Sequence, residues 1–426
     1  MAGEDLVGRI PDGWAYTTLG KACADGGGDI QTGPFGSQLH AADYVPVGVP
    51  SIMPQNIGDN RISEYGIARI TSDDARRLSR YLVREGDIVY SRRGDVEKRA
   101  LIRANENGWL CGTGCLRVRL GHKGANPSYA TYYLGHPSVR EWIVRHAHGA
   151  TMPNLNTSIL SACPFVVPPP AEQRAIAHIL GTLDDKIELN RRRNQTLEAM
   201  ARALFKDWFV DFGPVRAKME GRDPYLPADL WQIFPDRLDD KGKPEGWGSG
   251  RLDDALILQR GFDLPASART HGVYPVMAAS GINGYHDQYM VKGPGITTGR
   301  SGVLGRVFLV QCDFWPLNTS LWVKEFKRVS PFYAFELLRC LDFEMFNAGS
   351  AVPTLNRNHV HNLPIILPPE QLINAFDRQV MPMRTAQKRN EDECESLAQL
   401  RDTLLPKLIS GELRITDAEK FLERVA

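Results

Sequence analysis

Between residues 172 and 209, seam positions recur in alternating steps of three and four. Leu180, Leu183, Ile187, Asn190, Asn194, Leu197, Ala201, Leu204 and Trp208 make up that series. Such spacing keeps one side of a helix turned toward a partner helix, as in a coiled-coil seam. A second series lies 200 residues further on: Val380, Met383, Gln387, Asn390, Cys394, Leu397, Arg401, Leu404 and Leu408. The frame is the same, with asparagine again at the central position. The pattern therefore predicts one long helix written twice. About 38 helical residues would reach roughly 57 Å. Leu183, Ile187, Asn190, Leu197, Leu204 and Trp208 are the candidate seam and partner residues of the first helix; Val380, Asn390, Leu397 and Leu404 are those of the second. Asn190 and Asn194 read either as register-setting seam residues or as a polar contact to a partner. The two central asparagines should sit at comparable depth, and the Phe205 to Phe212 end reads as a docking surface.

Ahead of each helix the pattern changes to short β-like runs: 87–91, 116–119, 305–310 and 320–323. Glycine, asparagine and proline separate them. Helical pieces are expected over 73–81, 129–146 and 331–346. These parts are duplicated too. Pro11-Asp12-Gly13-Trp14 corresponds to Pro244-Glu245-Gly246-Trp247. Gly149…Pro153…Leu155-Asn156…Pro168-Pro169 corresponds to Gly349…Pro353…Leu355-Asn356…Pro368-Pro369. The offset falls from 233 to 200, and most of the first copy's extra length lies between Asp25 and Arg80. The predicted plan is a globular α+β domain over 1–168, a long helix over 169–213, a connector over 214–245, a second domain over 246–368, a second helix over 369–412 and a tail over 413–426. Pro382 inside the second series predicts a kink or a late helix start. Gly213-Pro214 and Gly411 are the expected helix ends. An antiparallel helix pair would give the chain an internal pseudo-two-fold repeat, and duplex DNA has the same kind of axis.

Composition narrows the function without deciding it. The chain has 426 residues, 42% hydrophobic and 24% charged, with a net charge of +1. A basic surface for nucleic acid must therefore be local. No apolar run is long enough for a membrane span, and the acidic start lacks a signal core, so a cytoplasmic protein is expected. Seven cysteines lie scattered without zinc-site spacing and read as reduced buried thiols. The chain has no phosphate-binding Gly-x-x-x-x-Gly-Lys motif, no Asn/Asp-Pro-Pro-aromatic methyltransferase signature and no Gly-x-Ser-x-Gly elbow. His146 and His148 point to different sides of a helix, so they make no metal pair. No catalytic or metal residue is assigned.

Three strings carry a family resemblance. The run 205–214, Phe-Lys-Asp-Trp-Phe-Val-Asp-Phe-Gly-Pro, resembles the end of the central helix in specificity subunits of type I restriction–modification systems. The run 404–413, Leu-Leu-Pro-Lys-Leu-Ile-Ser-Gly-Glu-Leu, is similar to their C-terminal end. Residues 280–287, 292–296 and 314–319 resemble one widespread type of their target-recognition domain. The resemblance implies two target-recognition domains, each reading half of a bipartite double-stranded DNA site, and two antiparallel helices that set the spacer. It implies two methylation subunits and two restriction subunits as partners. S-adenosylmethionine, ATP and magnesium would belong to those partners, with no cofactor in this chain. The subunit itself would be a non-catalytic part of a DNA methyltransferase and endonuclease complex. The alternative is a coiled-coil scaffold without DNA reading.

Base edges are read by Arg, Lys, Asn, Gln, Ser and Thr. The candidate DNA contacts are Ser37, Gln38, Gln55, Asn56, Arg92, Arg93, Lys98 and Arg99 in the first copy. Those of the second copy are Ser280, Asn283, Tyr285, Arg300, Ser301 and Asn318. Arg92 and Arg300 occupy matching places after a strand. Lys98 and Arg99 are expected at phosphates. Asn156 and Asn356 are expected to be structural, because the same motif stands in both copies.

Overall fold

The computed structural model describes residues 6–8, 10–149, 153–341, 343, 355–413 and 415. Two helices of 40 residues each dominate it, Pro170–Phe209 and Glu370–Ile409. The central helix begins on proline, whose missing N–H costs nothing at a helix start. Each has a glutamate in the first turn and a lysine in the last, which suits the helix dipole. The C-terminal helix runs through Pro382 without a break or a late start. Pro382 is exposed there, so water can serve the carbonyl that loses its partner. Gly411, at φ 74°, follows the end of this helix as expected. The central helix ends differently. Phe212 takes the left-handed conformation at φ 54°, and Gly213-Pro214 opens a new helix, Gly213–Met219, rather than closing the old one.

The chain divides into two compact units. The first comprises residues 1–190 and 392–426, and the second residues 191–391. The division runs across both long helices, so each unit holds a globular domain and one segment of each helix. In the first unit Asn190 Nδ2 donates to Glu393 Oε2 at 2.7 Å and Arg401 Nη1 to Asp184 Oδ1 at 2.7 Å. In the second, Asn390 Nδ2 donates to Asn194 Oδ1 at 2.7 Å and Asn194 Nδ2 to the Gln387 carbonyl at 3.1 Å. Within each unit the helix segments are thus antiparallel. Asn190 is fully buried but Asn390 only half-buried, so the expected equal depth does not hold. Asn190 faces Glu393 across a closed seam, whereas Asn390 meets another amide at a more open one.

The globular parts share one strand order. In the first unit a four-stranded sheet runs Asp29–Thr32, Cys115–Arg119, Ile88–Ser91, Arg99–Leu101. Beside it lies a three-stranded sheet of Ala68–Ile70, Tyr44–Ile52 and Leu110–Cys111, whose last pairing is parallel. The second unit repeats both. Its four strands are Leu256–Arg260, Ser320–Phe326, Gly295–Gly299 and Val307–Val310. Its three are Gly281–His286, Tyr274–Ala278 and Trp315–Pro316, again with a parallel pair. A two-stranded clasp ties the start of each domain to the strand before its helix: Ala15 faces Val167, and Gly248 faces Leu367. The first copy's extra length includes the helix Ser72–Arg77 and the turn Ser79–Tyr81 after it; Ala75, Leu78 and Tyr81 form a small separate core with Leu39 and Ile70.

Each unit has one main core. In the first, Leu180, Leu183 and Ile187 pack with Leu397, Leu404 and Leu408 and with Tyr129, Tyr133 and Phe165 of the domain. In the second, Phe205, Trp208 and Phe209 join Phe376, Tyr333 and Trp247. Ring centroids lie 5.1 Å apart for Phe205 and Tyr333 and 5.2 Å apart for Trp208 and Phe234. At the expected docking surface, Phe205 to Phe212, the aromatic residues Phe205, Trp208, Phe209 and Phe212 are core, while Lys206, Val210 and Asp211 are exposed. Burying one such ring or leucine contributes about 1.5–3 kcal/mol, which outweighs helix propensity per residue. Of the candidate seam residues, Leu183, Ile187, Trp208, Val380, Leu397 and Leu404 are buried, and Leu197 and Leu204 half-buried. The connector is packed rather than loose: Val215, Leu230 and Phe234 are buried in the second core. Gly349 and Pro353, the stretch 344–346 of an expected helix and most of the expected tail lie outside the described residues.

Candidate nucleic-acid interface

In the first unit several strands end at one place, and backbone hydrogen bonds hold the loops that leave them. Gly33 N–H donates to the Cys115 carbonyl at 2.9 Å, and Gly112 N–H to that of Ile52 at 2.9 Å. Arg92 N–H donates to Gly114 O at 2.8 Å, and Leu155 N–H returns to Arg92 O at 2.8 Å. A Cβ on Gly33 would stand 2.1 Å from the Gly112 carbonyl, so only glycine permits this approach. The second unit repeats the frame with other residues. Gly261 N–H donates to Ser320 O at 3.1 Å, Leu317 N–H to Met277 O at 2.8 Å, and Arg300 N–H to Thr319 O at 2.9 Å. Leu355 N–H donates to Arg300 O at 2.8 Å. A Cβ on Gly261 would meet the Leu317 carbonyl at 2.3 Å. Arg92 and Arg300 are thus structural equivalents, each leaving a fully buried strand at the same bend.

Most of the expected contacts are accessible, and many gather at these two bends. Ser37, Gln55 and Arg93 are exposed, as is Ser280, while Arg92, Arg300, Ser301 and Asn318 are half-buried. Arg92 Nε is buried and makes no hydrogen bond among the described residues. Gln38 is half committed: its Oε1 accepts from Phe35 N–H at 3.1 Å and from the Tyr81 hydroxyl at 2.9 Å. Lys98 is exposed but paired with Asp95 at 2.6 Å. Asn283 and Tyr285 are exposed on the strand Gly281–His286, away from the bend, and Arg269 Nη1 donates to Asn283 Oδ1 at 2.9 Å.

Two expected contacts are corrected. Asn56 is fully buried; its Oδ1 accepts from Met53 N–H at 3.1 Å and its Nδ2 donates to the Ser63 carbonyl at 3.1 Å. It closes a turn and faces no ligand. Arg99 is buried as well, with Nε donating to the Thr131 carbonyl at 2.7 Å and burial pushing its pKa down. It joins strand to helix and does not reach phosphates. Asn156 and Asn356 are structural as expected, each capping a short helix through its Oδ1.

Among the described residues no three His, Cys, Asp and Glu side chains gather as for a metal ion, and no helix is long and apolar enough to cross a membrane. Cys23, Cys111, Cys115 and Cys163 are buried, and burial pushes the Cys23, Cys111 and Cys163 thiols up to about 12. Cys312 and Cys340 are exposed, contrary to the expectation of buried thiols throughout.

Comparison with known proteins agrees with this duplicated frame. The family described as Type I restriction modification DNA specificity domain matches residues 43–199 and again 244–375. The chain belongs to that family. It is 25% identical to the Type I restriction enzyme MjaIX specificity subunit of Methanocaldococcus jannaschii, over 97% of this chain and 96% of the relative. It is 24% identical to the HindI specificity subunit of Haemophilus influenzae, over 85% and 95%. The fold is similar to that of a type I restriction-modification S subunit from M. genitalium, with a TM-score of 0.54, 18% identity and coverage of 94% and 96%.

In this specificity-domain chain the structure adds residues that sequence reasoning passed over. Thr113, inside Gly112-Thr113-Gly114, stands where Asn318 stands in the second unit, since Gly114 and Thr319 accept the equivalent arginine N–H groups; its hydroxyl oxygen is buried, so the match is one of backbone. Asp263 follows Gly261, the counterpart of Gly33. Gly112 directly follows the apolar pair Leu110-Cys111, a signal for the Thr113 loop, whereas Gln259 and Arg260 precede Gly261 and nothing local marked Asp263.

Proposed function

We propose that the chain is the DNA-reading specificity subunit of a type I restriction–modification assembly and is itself non-catalytic. Each unit reads one half of a bipartite duplex site through the loops at its bend. One observation carries this reading: two bends with the same backbone frame bear different tips. Arg92 and Arg93 stand at one, with Gln55 next to Pro54, which lies against Gly114; Asp263, Arg300 and Asn318 stand at the other, with Ser280 next to Ala279, which lies against Gly299. A shared frame with dissimilar hydrogen-bonding edges suits two different half-sites. The antiparallel helix segments act as the spacer. Methylation subunits, in two copies, bring S-adenosylmethionine, and two restriction subunits bring ATP and magnesium chemistry. With a net charge of +1, the subunit leaves most phosphate contacts to those partners.

The test is methylome sequencing of a host that carries this chain with its methylation partner. One bipartite motif is expected, and it should be lost or relaxed in one half by Arg92→Ala and in the other by Arg300→Ala. About 1–3 kcal/mol of discrimination per bidentate contact sets the scale. A complex that marks DNA with no sequence preference would leave only the scaffold reading.

A further inference from the structure

The geometry points to Asp263 as a base-reading residue of the second unit, accepting a hydrogen bond from the exocyclic amino group of a cytosine or adenine in the major groove. This rests on the proposed reading of the bend as a DNA interface. The strand Leu256–Arg260 ends just before it. Gly261 and Phe262 are pinned to the facing strand end, the latter by Phe262 N–H donating to Pro316 O at 2.8 Å. Asp263 comes next, with its side chain 72% exposed. Its Oδ1 accepts from Asn318 Nδ2, and Arg260 Nη2 lies 3.6 Å from the same oxygen. Oδ2 has no partner among the described residues. One carboxylate oxygen is anchored and the other is open. Arg300 continues the row, its Nη1 3.5 Å from the Asn318 carbonyl.

A carboxylate is an unusual group to bring to DNA. The phosphates repel it, and two like charges a few ångströms apart oppose each other by about 1 kcal/mol even in water. The hydrogen-bond donors on the major-groove edge are cytosine N4 and adenine N6. An acid in the middle of a reading surface therefore either opposes binding or reads one of those amino groups. The anchoring favours reading, because Asn318 holds the carboxylate in place before DNA arrives. Asn318 spends an N–H on that bond, and its Oδ1 keeps its capacity to accept. The frame itself does not call for an acid: Phe35 stands two residues after Gly33 in the first unit, just as Asp263 does after Gly261.

The experiment uses the full chain with its methylation subunit and duplexes carrying the motif found for the unaltered complex. Every single-base variant of both halves is compared for the unaltered chain, Asp263→Asn and Asp263→Ala. At one cytosine or adenine of the second half-site, a base analogue lacking the amino group should weaken the unaltered complex about tenfold or more. It should weaken the Asp263→Ala complex no further. Which analogue acts, 2-pyrimidinone for cytosine or purine for adenine, identifies the base. Asp263→Asn should relax preference at that position and leave the first half-site as it was. Uniform weakening across all duplexes, or an unchanged preference at every position, overturns the assignment of Asp263. If the unaltered complex shows no bipartite motif at all, the DNA-reading proposal falls instead.

Discussion

Position 184 of the central helix and its counterpart 200 residues later, position 384 of the C-terminal helix, carry opposite charges. In the first unit Asp184 accepts from the Tyr132 hydroxyl and from Arg401 Nη1, both at 2.7 Å. Arg401 also reaches Asp59 at 3.2 Å and Asp402 at 2.9 Å, both well exposed. In the second unit Arg384 donates to Glu336 Oε1 at 2.6 Å and to Gln387 Oε1 at 2.9 Å, and it also pairs with Glu198. Arg339 binds Glu198 and Glu336 from the other side. Each knot ties both helix segments to one domain helix, Pro127–Tyr133 or Pro331–Cys340. The difference lies in burial. Arg384 and Glu336 keep 5% and 1% of their side-chain surface, whereas the first knot has partners in solvent. Equivalent places in a duplicated chain thus reach the same mechanical result with reversed charge. Neither helix can replace the other, because Ala201 stands where Arg401 would be needed and Ala398 where Glu198 would be.

The largest expected effect is on the buried knot. Arg384→Ala leaves two carboxylates without their main partner and should cost about 3–5 kcal/mol, read from urea unfolding. Replacing Arg384 and Glu336 together by Met and Leu should recover most of that loss. Asp184→Ala should cost less, about 1–3 kcal/mol, because Arg401 keeps Asp59 and Asp402 while the Tyr132 hydroxyl loses its acceptor. An equal cost for the two single changes would erase the distinction between the knots.

The smallest effect concerns acid. Burial raises Glu336, only partly offset by Arg339 and Arg384. Burial also works against the Glu198 carboxylate, but Arg384 and Arg339 outweigh it and hold its pKa below the usual range. The signs are opposite. Glu198 stabilises the fold above the ordinary glutamate value, and that contribution is lost as pH falls through its lowered value. Glu336 lowers stability above its raised value and restores it on acidification. Glu198→Gln should flatten the acid limb of a stability–pH curve, and Glu336→Gln should steepen it. Parallel shifts in both variants would contradict this assignment.

The helices and the duplication were legible because their signals are local or internal to the chain. A three-four alternation shows in any stretch of 20 residues, and Pro11-Asp12-Gly13-Trp14 can be matched to its copy by eye. The site was legible in part. Arg92 and Arg300 could be paired because each follows a strand-like run and precedes a glycine. Asn56 looked like a base contact and Arg99 like a phosphate contact, since polarity alone does not reveal whether Ser63 or Thr131 waits across a turn. Asp263 carried no signal, because its neighbour Asn318 lies 55 residues away.

The seam at 180–208 and 380–408, the two domains and the order of their parts were set by the sequence alone, because periodicity and repetition are properties of neighbouring residues. Only the tertiary structure decided which loops meet at a bend, which polar groups are used up inside, and that Phe205, Trp208, Phe209 and Phe212 are core. Those outcomes depend on strand pairings such as Ser51 with Leu110 and Val276 with Trp315, made between residues far apart in the chain. Burial, and with it the availability of a side chain to DNA, follows from those pairings and from nothing nearer.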